Sequence, residues 1–80
     1  MMVKILFFAE AKKIVGEGEI DLSFNGKTVL DIKRDLLEKY PSLETSFNSV
    51  VFAVNEKYTA EDTVLKDGDV LAVIPPVGGG

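Results

Sequence analysis

The chain contains no cysteine, no histidine and no tryptophan. Without cysteine there is neither a disulfide framework nor a thiolate nucleophile, and disulfides give no hint of compartment. Without histidine, Cys/His zinc sites, Ser-His and Cys-His nucleophile pairs, and an unshifted base near neutrality are all excluded. Long apolar runs are missing too. The opening Met1–Phe8 stretch is short, carries Lys4 and lacks a small-residue cleavage site after it, so it reads as a strand of a cytoplasmic protein rather than a leader or membrane span. Basic charge is also scarce: nine Lys and Arg stand against thirteen Asp and Glu, a net charge of -4. That is the wrong sign for affinity gained by neutralising phosphates, so no nucleic acid and no membrane is expected as partner.

What remains is a chain of 80 residues, 46% hydrophobic and 28% charged, the composition of one globular domain. At this size folding hides only ~60% of the surface that the unfolded chain exposes. A core and a deep enclosed active site do not both fit, so the chain is expected to be non-catalytic on its own.

Val3, Ile5 and Phe7 alternate with Lys4, Leu6 and Phe8 as a first strand with an unusually apolar second face. Ala9 to Val15 suits a short helix ended by Gly16. Glu19 to Phe24 alternates again and places Ile20, Leu22 and Phe24 on one buried face of a second strand, expected to pair with the first. Thr28 followed by Asp31 has the spacing of an N-terminal cap. From Val29 to Tyr40 the apolar residues Val29, Ile32, Leu36, Leu37 and Tyr40 recur at helical spacing, giving one amphipathic helix closed by Pro41. Ser42 to Ser49 reads as a connecting loop, and Val50 to Val54 as a central strand. A short edge strand is expected near Lys57 to Thr59. Lys66-Asp67-Gly68-Asp69 forms a turn before the last strand, Val70 to Ile74. The fold class is α+β, a mixed sheet with one main helix packed across one face. The helix between the second and third strands can supply a crossover connection, while sheet order stays open.

The division expected is a domain over residues 1–74 and a flexible tail over 75–80. Pro75 and Pro76 stop ladder bonding and favour an extended path away from the last strand. Val77, Gly78, Gly79 and Gly80 follow as a thin tip. Fully extended, the segment from Pro75 spans roughly 20 Å, and glycines pass through channels too narrow for a β-carbon. On composition alone the triple glycine is equally a frayed end or an appended scar. A phosphate cradle is disfavoured, since no helix follows to aim its amides.

Lys4-Ile5-Leu6-Phe7-Phe8-Ala9, Ala53-Val54-Asn55, Asp67-Gly68-Asp69-Val70 and Ile74-Pro75-Pro76-Val77-Gly78-Gly79 together resemble the MoaD/ThiS family of ubiquitin-like sulfur carriers, and within it the branch of molybdopterin synthase small subunits. The likeness runs along essentially the whole chain. It implies a β-grasp (ubiquitin-like) fold and a sulfur-donating rather than catalytic role. The Gly80 carboxylate, next to Gly79, would be adenylated by an ATP-dependent, ubiquitin-activating-like enzyme and converted to a thiocarboxylate with the help of a sulfur donor protein. The tail of Pro75, Pro76, Val77 and Gly78 would thread into the large synthase subunit, where sulfur is given up to form the dithiolene of the molybdenum cofactor. ATP belongs to the activating partner, and this chain is expected to bind no cofactor. Family tails commonly carry a residue other than glycine where Gly78 stands, so Gly79 becomes the reactive end if Gly80 is an addition. A carrier for thiamin or another thiolated product, a ubiquitin-like protein modifier and an inert-tailed interaction module are the rivals.

Strand alternation puts Val70, Ala72 and Ile74 on the face away from the helix, with Leu71 and Val73 inward. Family resemblance adds Phe8 and Tyr58, completing the expected partner-binding set; scattered surface apolars are the plain alternative. The acids Asp21, Asp31, Glu61, Asp62, Asp67 and Asp69 lack calcium-loop spacing, and no metal is expected.

Overall fold

The computed structural model describes residues 1–75. The chain runs through β1 (Met2–Phe7), α1 (Ala9–Val15), β2 (Glu19–Ser23), α2 (Val29–Lys39), α3 (Leu43–Phe47), β3 (Val51–Val54), β4 (Lys57–Thr59) and β5 (Val70–Ile74). Among the described residues the strands form one mixed sheet in the order β2-β1-β5-β3-β4. β1 pairs antiparallel with β2 and parallel with β5, and β3 pairs antiparallel with both β5 and β4. β2 and β3 therefore run in the same direction, and α2 is the crossover that joins them over β1 and β5. This is the connection the helical pattern between the second and third strands suggested. Of the run Val50–Val54 expected as a central strand, Val51–Val54 forms the internal strand β3, but the centre of the sheet is β5, because the sequence-last strand inserts between β1 and β3.

Each element follows from local chemistry. Alternation in β1 buries Val3, Ile5 and Phe7, and β5 buries Leu71 and Val73 on the same side. α1 stops at Gly16, whose φ of 89° is a left-handed cap and whose N–H donates to the Lys12 carbonyl. α2 opens with a full capping box. The Asp31 N–H donates to Thr28 Oγ1 at 3.4 Å, while Asp31 Oδ2 accepts from the N–H groups of Thr28 at 3.0 Å and Lys27 at 2.9 Å. The chain passes close by at Gly26, where a β-carbon would come within 2.5 Å of the Phe24 ring and 2.7 Å of Asp31 Cβ. Val29, Ile32 and Leu36 then press one stripe of α2 onto the sheet. Gly68, at φ 87°, makes the turn into β5.

The segment expected to be a loop, Ser42 to Ser49, contains the helix α3. Leu43 and Phe47 sit four residues apart, so one helical turn buries both, and Phe47 meets Phe52 edge-on at a centroid distance of 5.8 Å. Its Ser42 N-cap makes no side-chain capping bond. Tertiary packing, not local propensity, makes this helix, which is why its short polar-rich sequence reads as a loop.

Candidate functional site

The helices cover one face of the sheet and leave part of the other bare. Across that bare face the register aligns Leu6 of β1 with Ala72 of β5, Ala72 with Ala53 of β3, and Ala53 with Tyr58 of β4. Two alanines in the middle and large side chains at the flanks make a hollow. The resulting groove, about 920 Å³, also takes in Phe8, Val70, Ile74 and Pro75. All five residues expected at a partner surface, Phe8, Tyr58, Val70, Ala72 and Ile74, thus line one concavity. Tyr58 is 73% exposed and Phe8 45%, whereas Val70, Ala72 and Ile74 are half-buried on its floor.

Phe8 reaches the groove because β1 ends at Phe7 and the chain turns sharply. Phe8 keeps an extended backbone (φ -130°, ψ 157°) as the N-cap of α1, and Ala9 then adopts φ 50°. Tyr58 is placed by the β3–β4 hairpin, whose Val54–Lys57 pair is joined by only Asn55 and Glu56. Both have positive φ, 50° and 71°, as a two-residue primed turn requires. The Asn55 side chain locks this hairpin to the start of β5: Nδ2 donates to Asp69 Oδ1 at 2.9 Å, and Oδ1 accepts from the Val70 N–H at 3.0 Å. Asp69 Oδ2 in turn accepts from the Lys66 N–H at 2.7 Å.

At the opposite end of the groove β5 stops at Ile74. Pro75 and Phe8 there separate the groove from a smaller hollow of 260 Å³ floored by Ala11, Val50 and Val73. The remainder of the expected tail, Pro76, Val77, Gly78, Gly79 and Gly80, lies outside the described residues. Leu6, Ala53, Asn55 and Glu56 also line the groove, though the sequence does not name them as site residues. Leu6 carried a signal, being apolar on the outward side of β1; the role of Ala53 emerges only from the cross-strand register.

The groove is mostly apolar, and apart from Glu56 the charge gathers elsewhere. Toward β2 the bare face becomes polar, with Lys4 bridged to Glu19 at 3.1 Å; the Glu19 hydrogen bond, then its charge and that of Asp21, raise the Lys4 pKa. Among the described residues no three Asp or Glu converge as a metal site, and no helix is long and apolar enough to cross a membrane. The groove lining is mostly apolar, with Asn55, Glu56 and Tyr58 as its polar side chains.

A mixed sheet with a parallel β1–β5 pair at its heart and one main helix across a single face defines the ubiquitin-like β-grasp class. Within that class the chain belongs to the ThiS family, whose model matches residues 5–80, the MoaD/ThiS group of sulfur carriers. It is 38% identical over 79 residues to a molybdopterin synthase sulfur carrier subunit of Arabidopsis thaliana, covering 98% of this chain and 82% of that one. It superimposes on the small archaeal modifier protein 1 of Methanosarcina acetivorans with a TM-score of 0.83 at 31% identity, covering 99% and 96% of the two chains. It also matches a chain from the complex of subunits 1 and 2 of the molybdopterin-converting factor of Helicobacter pylori, with a TM-score of 0.73, 30% identity and full coverage of both.

Proposed function

We propose that this chain is the sulfur-carrier subunit of a molybdopterin synthase, acting in the cytoplasm on a glycine-tail carboxylate rather than through a site of its own. The observation that carries the reading is the position of the apolar groove: Pro75, the first residue of the Pro-Pro-Val-Gly-Gly-Gly segment, is part of its lining, so a protein seated on Leu6, Phe8, Tyr58, Ala72 and Ile74 sits beside the start of that segment. The complex reported for the Helicobacter pylori relative supports a large-subunit partner.

A carboxylate resists attack because it is anionic and its oxygen is a poor leaving group. In the proposed cycle a Gly80 carboxylate oxygen attacks the α-phosphorus of ATP on the adenylating enzyme, and pyrophosphate departs. Hydrosulfide supplied by a donor protein then attacks the acyl carbon, AMP leaves with the bridging oxygen, and loss of the sulfur-bound proton gives the thiocarboxylate. The tail next enters the large subunit and donates that sulfur to the pterin precursor for dithiolene formation. Lacking side chains, Gly79 and Gly78 permit close approach to two different enzymes, and Pro75 and Pro76 stiffen the lead-in.

Intact-mass measurement after incubation with the activating enzyme, ATP and the sulfur donor tests this. The expected result is the increase of one oxygen-to-sulfur exchange, located on the terminal glycine. An unchanged mass with a partner that charges another carrier refutes it. The likeness to a small archaeal modifier protein favours a second reading, in which a lysine amine takes the place of sulfur at the activated acyl group. Higher-mass lysine conjugates carrying the glycine tail would identify that use.

A further inference from the structure

The sheet also exposes the edge of β2, on the far side of β1 from β5. β2 is an edge strand, paired only with β1 among the described residues. Hydrogen-bonded and non-bonded pairs alternate along an antiparallel ladder. Met1 and Phe24 exchange bonds of 3.1 and 2.8 Å, and the Phe7 N–H donates to the Gly18 carbonyl at 2.8 Å. With the observed register, Val3–Leu22 and Ile5–Ile20 are the bonded pairs between them. The N–H and C=O groups of Glu19, Asp21 and Ser23 therefore point outward, away from β1.

Both sides of this edge are acidic. Glu19 and Asp21 stand on the bare sheet face, and Asp35 and Glu38 of α2 line a 370 Å³ hollow with Leu22, Ser23 and Lys39 on the helix side. The ion pairs among the described residues are Lys4–Glu19 and Lys33–Glu61, so Asp21, Asp35 and Glu38 have no cationic partner within 4 Å. Charge on an edge strand commonly blocks self-pairing. Here it does so selectively: antiparallel pairing of two copies about Asp21 sets that carboxylate against its own copy, whereas a strand with basic side chains on the bare face meets opposite charge at Glu19 and Asp21.

We infer that the β2 edge is a docking site for an extended peptide segment of a partner protein bearing Lys or Arg at alternate positions, which adds to the sheet as a further strand. Outward backbone groups of Glu19, Asp21 and Ser23 supply the ladder bonds, and the carboxylates select the sequence. The edge meets the groove only at the Leu6–Glu19 pair, and the inference does not rest on the sulfur-carrier reading.

Titration of the full chain with a blocked Lys-Val-Lys-Val-Lys-Val-Lys peptide, followed by amide NMR, tests it. Shifts and slowed hydrogen exchange are expected at Glu19, Asp21 and Ser23, with affinity falling as salt is added. Asp21→Pro deletes an outward N–H without touching the β1 ladder and should weaken binding about tenfold. The paired reversal Glu19→Lys with Asp21→Lys should abolish it and create affinity for the corresponding Glu-Val peptide, which decides the matter if the proline variant folds poorly. Ala72→Arg, in the groove, should leave peptide binding unchanged. Shifts confined to the groove, equal binding of the Glu-Val peptide by the unaltered chain, or a concentration-dependent dimer through β2 would each overturn the inference.

Discussion

The two faces of β5 carry adjacent residues with opposite duties. Leu71 and Val73 are fully buried beneath the helices, while Val70, Ala72 and Ile74 floor a groove open to solvent. On the covered face the demand is volume: Val3, Ile5, Phe7, Ile32 and Leu36 close around the strand, and none of them has any appreciable exposure. On the bare face the demand is shape. Ala53 and Ala72 leave a hollow that Leu6 and Tyr58 wall in, and a larger side chain at either alanine would fill it. One strand thus divides its residues between holding the domain together and presenting it.

The largest effect is expected from the proposed reactive end of the chain, which neither face of β5 contains. Deleting Gly79 and Gly80 is expected to abolish sulfur transfer outright while the thermal unfolding curve stays where it was; loss of folding in that variant would make the tail structural. The next contrast is between neighbours. Leu71→Ala should lower stability by about 2–5 kcal/mol, read by denaturant titration, whereas Ala72→Arg should leave stability nearly unchanged and weaken binding of the large synthase subunit about tenfold or more by calorimetry. If Ala72→Arg destabilised the fold as Leu71→Ala does, the two-sided reading of β5 would be wrong. A smaller effect is expected at the hairpin that holds Tyr58. Glu56 occupies a left-handed conformation, φ 71°, that disfavours a β-carbon, so Glu56→Gly should raise stability by about 1 kcal/mol without loss of partner affinity.

These contrasts also show what could be read from residues alone. Period-two alternation in Val3–Phe7 and Val70–Ile74 marked both faces of the central strands, and the Thr28/Asp31 spacing marked the start of α2, because each signal is local. Phe8, Tyr58, Val70, Ala72 and Ile74 were nameable by alternation and family likeness. Their meeting in one groove was not, since it depends on β5 inserting between β1 and β3, a matter of long-range register. α3 escaped for the same reason: Leu43 and Phe47 form a helix because the core receives them. The Asn55–Asp69 clamp joins residues fourteen positions apart, and nothing in either local sequence announces the other.

The smallest effect belongs to the covered face, at the point where α2 is set in register. The N–H groups of Lys27 and then Thr28 hold the Asp31 carboxyl below its ordinary value of 3.8. A group whose pKa is lower in the folded chain than in the unfolded one stabilises the fold above the unfolded value, and that contribution disappears as the pH falls through the folded value. Asp31→Asn keeps an acceptor but loses the charge that favours a helix N-terminus. The variant should therefore be less stable than the unaltered chain near neutrality, and the difference should close progressively as the solution is acidified past 3.8. Paired thermal melts across that range measure it. A gap that persists undiminished in acid would mean that geometry at the cap, rather than the carboxylate's charge, fixes the helix over the sheet, and the bare face should bind its partner equally well in both proteins throughout.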